Sequence, residues 1–244
     1  MTDISNRVSP PSGRYAVYYA PDIGSEEWQE GRRWLGRCAA TGQQYAPFDV
    51  DGLSAEQVHA LTAAPRRYGW HGTLRAPFDL APGVTSDDLL EALLDLAGRW
   101  SAFEMPALQV ALIDDFLALV PDPACSDTAR INALAGACVT SLQPLAAPLS
   151  PSDLARRRAA GLSPEQDALL LRWGYPFVLD HFRFHVSLTG SLRNVPAGAV
   201  QALKVKAERI FAGLPAHRFD TLALFYEEAP GADFRLIQQV ALAP

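Results

Sequence analysis

The apolar and polar positions of this chain change period several times, and each change marks an element. The stretch RYAVYYAP (14–21) is aromatic and β-branched and reads as a strand. SEEWQEGRRWLGRCAA (25–40) follows as a helix, and SAEQVHALTAA (54–64) opens on Ser54 with Gln57 three positions on, the capping-box pattern of a helix start. A short strand is expected over 68–76. Ser86 then caps a helix whose Leu89, Leu90, Leu93, Leu94 and Leu96 make a core-facing stripe ending near Trp100. Strands over 106–113 and 116–121 are joined by Asp114-Asp115, and a helix over 127–142 leads into LQPLAAPLSPSDLARRRAAG, dense in proline and alanine. Ser163-Pro164-Glu165-Gln166 is a second capping box, with proline in the first helical turn where its missing N–H removes no bond. That helix runs to Trp173; a strand over 182–189, a helix over 198–212 and strands over 218–226 and 233–241 complete the chain.

Laid side by side, the halves share an order: strand, amphipathic helix, strand, strand. The opening strand of each half carries the same four-residue phrase, His71-Gly72-Thr73-Leu74 and His185-Val186-Ser187-Leu188. Beyond that phrase the halves have negligible identity, so the repetition is one of architecture. The expected fold is α+β and two-lobed with pseudo-twofold symmetry, each lobe an antiparallel sheet with flanking helices. The chain reads as a single two-lobed domain, 1–244, with lobes near 14–125 and 160–244 joined by the helical Pro/Ala-rich segment.

Side chains alternate across a strand. His71, Thr73 and Arg75 therefore share one face in the first phrase, and Arg183, His185, Ser187 and Thr189 share one in the second, opposite apolar sets bound for the core. If the lobes face each other, the polar faces meet across a groove holding two imidazoles, several hydroxyls and two guanidiniums. Two imidazoles with pKa near neutrality suit concerted acid–base chemistry, one taking a proton while the other gives one. Hydroxyl and guanidinium donors suit the oxygens of a phosphate. This set is sufficient for phosphodiester hydrolysis without a metal or other cofactor, because phosphoryl chemistry is mainly positioning and charge stabilisation. Tyr18, with Tyr15 and Tyr19, belongs first to the core, although one hydroxyl could reach the phosphate.

Charge and composition narrow the partners. At 49% hydrophobic and 20% charged residues the chain is an ordinary globular one, and a net charge of −6 provides no global field for long DNA or RNA. The expected partner is a small phosphorylated metabolite held by a local cluster. The basic run of Arg156, Arg157 and Arg158 reads as a solvated helix face or as a further anion contact. Cys38, Cys125 and Cys138 have no metal-ligand spacing and read as free thiols in a reducing cytoplasm. The N-terminus lacks a signal peptide's apolar stretch, and no apolar run is long enough for a membrane span. His59 reads as a helix-surface residue and His217 as structural. His181 and His185 are four apart, a spacing that brings two metal ligands together on a helix rather than on a strand, and no third ligand is obvious.

The doubled His-x-Ser/Thr-apolar motif in a two-lobed α+β chain resembles the two-histidine (2H) phosphoesterase superfamily, which includes RNA 2′,3′-cyclic phosphodiesterases. RYAVYYAP, WLGR, PRRYGWHGTLRAPF, DLARRR, WGYPFVLDHFRFHVSLTG and LFYEEAPGADFRLI look like one branch of it, the phosphonate-metabolism proteins encoded in phosphonate-utilisation operons. The resemblance runs nearly end to end. It implies metal-independent hydrolysis of a small phosphodiester, with His71 and His185 as the acid–base pair and Thr73 and Ser187 gripping the phosphate. The operon association implies a ribose cyclic phosphate, such as 5-phosphoribosyl 1,2-cyclic phosphate; a nucleoside 2′,3′-cyclic phosphate or RNA end is the generic alternative, and a non-catalytic binding protein for such a metabolite is another. Two positions depart from the branch: Arg75 stands where lysine is frequent, and Ala146 where an arginine is usual.

Overall fold

Residues 13–122, 128–159, 161–211, 214 and 218–244 are described by the structure, a computed structural model; Cys125 and His217 lie outside the described residues. In chain order the elements are β1 (Arg14–Tyr19), α1 (Glu26–Leu35), α2 (Ala55–Leu61), α3 (Ala63–Tyr68), β2 (Gly72–Phe78), α4 (Ser86–Ala97), β3 (Phe103–Glu104), β4 (Leu108–Ile113), β5 (Phe116–Pro121), α5 (Thr128–Leu142), α6 (Pro151–Arg158), α7 (Pro164–Trp173), β6 (Val186–Ser187), α8 (Ala197–Phe211), β7 (Arg218–Phe219), β8 (Thr221–Glu227) and β9 (Arg235–Ala241).

Local chemistry sets most of these boundaries. Ser54 and Gln57 close the capping box of α2, and Ser163 and Gln166 that of α7, each serine hydroxyl accepting the N3 amide while the glutamine returns to the cap. The box of α4 uses Thr85 with Asp88, one residue ahead of the Ser86 expected as cap. α1 ends at Gly36, whose φ of 82° is the left-handed cap that glycine adopts without strain. α6 was not separated from the Pro/Ala-rich link by its pattern, yet Ser150 caps it and Pro151 occupies its first turn, the same device that marks α7.

The strands form one antiparallel seven-stranded sheet in the order β4-β5-β6-β2-β1-β8-β9, with β3 and β7 as a separate pair. The two halves of the chain are interleaved in this sheet. The C-terminal hairpin β8–β9 pairs with β1, and the first half's hairpin β4–β5 pairs with β6. The flanking helices are exchanged in the same sense: α4 packs on β8 and β9, whereas α8 packs on β4. Ala16, Val17, Leu117, Val186, Leu222 and Phe225 at the sheet's centre are fully buried, so the core is continuous across both halves. Among the described residues no helix is long and apolar enough to cross a membrane.

Candidate active site

The halves meet at β2 and β6 through a single registered pair, Gly72 opposite Val186. Antiparallel pairing about that point creates a local dyad. Carried one residue to either side, that pairing would set His71 across from Ser187 and Thr73 across from His185, on the face opposite the Gly72–Val186 side. The two copies of the phrase thus come together at the seam between β2 and β6, with His185 close enough to His71 to act on its charge.

Glycine is required at 72 because a Cβ there would lie 2.6 Å from the ring of the buried Phe184. Gly72→Ala is expected to destabilise the fold by about 1–3 kcal/mol through overpacking and to reduce activity by shifting the seam; thermal unfolding together with kinetics checks both effects.

Helix α1 holds both phrases from behind. The Trp70 indole, adjacent to His71, donates to Glu27 Oε1 at 3.1 Å, and the Trp34 indole donates to the Leu188 carbonyl at 2.8 Å, just past Ser187. All the partners in these contacts except the Leu188 carbonyl are buried side chains, so the contacts fix the phrases against a rigid element.

The imidazoles are oriented alike. His71 Nδ1 lies 2.8 Å from the Gly69 carbonyl and His185 Nδ1 lies 2.9 Å from the Arg183 carbonyl. A carbonyl only accepts, so each Nδ1 carries the proton, and each Nε2 is left for chemistry. The His71 ring packs at a tilt against Tyr18, 4.1 Å between centroids, with Tyr68 at 5.7 Å, and His185 lies beside Phe116 at 5.8 Å. Burial among these rings pushes the His71 imidazole down to about 4; the Gly69 carbonyl opposes that, and nearby His185 adds to it. Burial likewise holds the Tyr18 phenol well above its usual range, so it stays neutral.

His71, Thr73, Ser187, Tyr18 and Phe116 line a cleft of about 490 Å³. The Thr189 hydroxyl also lines it and accepts the Leu117 amide at 3.0 Å. The far part of its wall is cationic: Arg14, Arg67, Arg156 and Arg157. Sequence reasoning passed over Arg14, which is placed by the pairing of β1 with β8, and Arg67, which α3 brings to Glu227 and the Ala232 carbonyl. Arg156 and Arg157 come from the basic run read as a further anion contact, whereas Arg158 turns away to pair with Asp167.

His185 is half-buried beside the cleft-lining Phe116 and close to His71 but is not itself part of the cleft wall, and two further expected site residues stand elsewhere. Arg75 is buried and does not line the cleft; its guanidinium donates to the Val139 carbonyl at 2.5 Å and to Gln143 at 3.1 Å, on the side of α5. The reason is a register shift: Tyr18 pairs with Thr73 but Val17 pairs with Arg75, so one extra residue on β2 moves Arg75 to the Val17 face. The Arg183 side chain is exposed and off the cleft wall, because β6 begins at Val186 and strand alternation does not reach back to 183; only its carbonyl serves, orienting His185. Ala146 also sits behind β2, near Arg75. His181 ends a 3₁₀ turn (Leu179–His181), and among the described residues no group of three or more His, Cys, Asp or Glu stands together as a metal site. His59 is exposed beside Arg66, and Cys38 and Cys138 are buried free thiols.

A family model described as "Protein of unknown function (DUF1045)" matches residues 73–235. Two curated relatives share the name ribose 1,5-bisphosphate phosphokinase PhnN. The protein from Janthinobacterium sp. (strain Marseille) is 38% identical over 232 residues, 93% of this chain and 51% of that protein. The one from Laribacter hongkongensis (strain HLHK9) is 38% identical over 230 residues, 94% and 52%. The chain therefore spans about half the length of the curated relatives it matches. Solved structures similar to it include E. coli LigT complexed with 3′-AMP, at 13% identity and a TM-score of 0.42, covering 96% of this chain and 99% of that one. Another, described as a phosphoesterase, has 14% identity and a TM-score of 0.39, covering 95% and 99%.

Proposed function

The chain belongs to the DUF1045 family, and we propose that it is a metal-independent phosphodiesterase acting on a small cyclic phosphodiester by two-histidine acid–base catalysis. The single observation that supports this reading is the Gly72–Val186 pair, which joins the two copies of the His-x-Ser/Thr phrase at one seam of the sheet. In the proposed step, His71 Nε2 takes a proton from water as the water oxygen bonds to phosphorus. The bond from phosphorus to the leaving ester oxygen breaks, and His185 Nε2–H protonates that oxygen. Because Nδ1 of His185 is committed to the Arg183 carbonyl, His185 acts as acid in its doubly protonated form. Thr73 and Ser187 donate to the non-bridging oxygens.

His71 is assigned the base because it is held neutral: its pKa of about 4 leaves the Nε2 lone pair free above that pH. The acid limb of kcat/KM, which reports the free enzyme's base, is then expected near pH 4 rather than near the ordinary histidine value of about 6.5. Should His71 be the acid instead, kcat/KM would fall as pH rises through 4. A pH–rate profile separates the two.

For the substrate we propose a ribose cyclic phosphate linked to phosphonate breakdown, such as 5-phosphoribosyl 1,2-cyclic phosphate. Opening that ring at O2 would yield ribose 1,5-bisphosphate, the compound in the relatives' name. Those proteins are about twice as long, and this chain contains no G-x-x-x-x-G-K-[ST] phosphate loop; its lysines are Lys204 and Lys206. The kinase activity is therefore assigned to their other half. The test is a phosphorus-NMR screen of cyclic phosphates with EDTA present. Turnover is expected to persist in chelator; activity lost to EDTA and restored by zinc or manganese would overturn the metal-independent mechanism, and nucleoside 2′,3′-cyclic phosphates as the better substrates would overturn the ribose assignment.

A further inference from the structure

The cationic wall is not consumed by that mechanism. Arg14 and Tyr18 lie on one face of β1 four residues apart, about 13 Å along a strand. Tyr18 packs on His71, so Arg14 marks the opposite end of the same cleft. Four guanidiniums line that end, and three carboxylates oppose them: Glu227 bridges Arg14 and Arg67, Asp153 pairs with Arg156, and Asp79 lies close enough to Arg14 to act on its charge. The balance is an excess of one positive charge in a chain whose net charge is −6.

The arginines are held but not saturated. Arg14 Nε donates to Glu227 at 2.5 Å, while among the described residues its terminal nitrogens meet no acceptor. Arg67 is the most fully engaged, its three nitrogens donating to the Ala232 carbonyl, the Tyr68 hydroxyl and Glu227, and it lies over Tyr68 and Phe234, which fixes its plane. Arg157 lies over Tyr175 at 5.6 Å, and its buried Nε has no hydrogen-bond partner among the described residues. It has no carboxylate within ion-pair distance among the described residues, although Arg14 is near enough to repel it. Unpaired guanidinium N–H groups gathered in a concave wall are the arrangement that binds phosphate oxygens.

We propose that this end of the cleft is a second anion subsite, in which Arg157 and Arg14, backed by Arg67, bind a second phosphate on the substrate, one sugar away from the ester being hydrolysed. It rests on the cyclic-phosphodiesterase reading and deepens it: the enzyme selects cyclic esters of sugars that carry a separate phosphomonoester. The subsite is built without an arginine at position 146, which lies behind β2.

Ribose 5-phosphate carries the distal phosphate and no cyclic ester, so its binding can be measured without turnover. Calorimetric titration is expected to show saturable binding by the full chain, no binding of ribose, and a loss of ten-fold or more in Arg157→Ala, partly recovered in Arg157→Lys. Kinetics on ribose 1,2-cyclic phosphate and its 5-phosphorylated form should show a preference for the latter. In Arg157→Ala that preference should shrink ten-fold or more, through KM rather than kcat. Equal binding of ribose and ribose 5-phosphate, or a preference unchanged in both Arg157 variants, overturns the subsite. Binding that behaves as expected with no hydrolysis of either cyclic ester supports the subsite and overturns the catalytic reading instead.

Discussion

His71→Ala and His185→Ala should each lower kcat on the cyclic ester by about 10²–10⁴-fold, because each removes one proton-transfer partner from the transition state. In the proposed mechanism the two act in one concerted step, so the double variant should be little slower than the worse single one. KM should move far less than kcat, since the phosphate contacts proposed for Thr73 and Ser187 and the rest of the cleft wall remain. Steady-state kinetics with circular dichroism as a folding control checks all three points. Full activity in either single variant is the outcome that removes the assignment. For His71 the substitution also opens space beneath Tyr18, so His71→Asn, which leaves a polar group facing Gly69, is the cleaner comparison.

The largest stability effect is expected at Glu227. This carboxylate is fully buried, bridges Arg14 and Arg67 and accepts the Gly231 amide at 3.0 Å. Glu227→Ala leaves two partly buried guanidiniums without their counter-charge and is expected to cost about 3–5 kcal/mol, or about 6–20 °C in Tm for a chain of this size. Burial pushes the Glu227 carboxyl up, but the Arg14 hydrogen bond, the Gly231 amide and the charges of Arg14 and Arg67 together hold it below its usual value. The sign follows: the unfolded chain takes up this proton first as pH falls. The contribution is therefore fully present above the ordinary glutamate value of about 4.3 and lost as pH drops through the folded one. Denaturant unfolding of both proteins at neutral pH and near pH 3 checks this, with the difference between them expected to narrow in acid.

Much of this chain was legible before any coordinates. Capping boxes at Ser54 and Ser163 and the leucine stripe of α4 are local signals, and local physics places them within a residue or two. The catalytic candidates were legible for a different reason: a symmetric site made by duplicated elements has to spell its residues twice, so the repeated phrase pointed to His71, Thr73, His185 and Ser187 together. What alternation within a strand could not carry was Arg75 and Arg183. The first is turned to the other face by a register shift against β1, and the second lies upstream of a strand only two residues long. Both facts belong to the pairing between strands, and one strand's sequence does not contain them.

The amino-acid order by itself determined the elements, the doubled motif and the net charge that calls for a local anion site. Tertiary structure alone decided that the two halves share one sheet, that a single glycine–valine pair joins the two copies of the phrase at one seam, and that Arg14, Arg67 and Arg157 converge on the same cleft. Periodicity reports which face of its own element a residue occupies. Which elements that face meets is set by long-range pairing and burial, and the arginine wall exists only there.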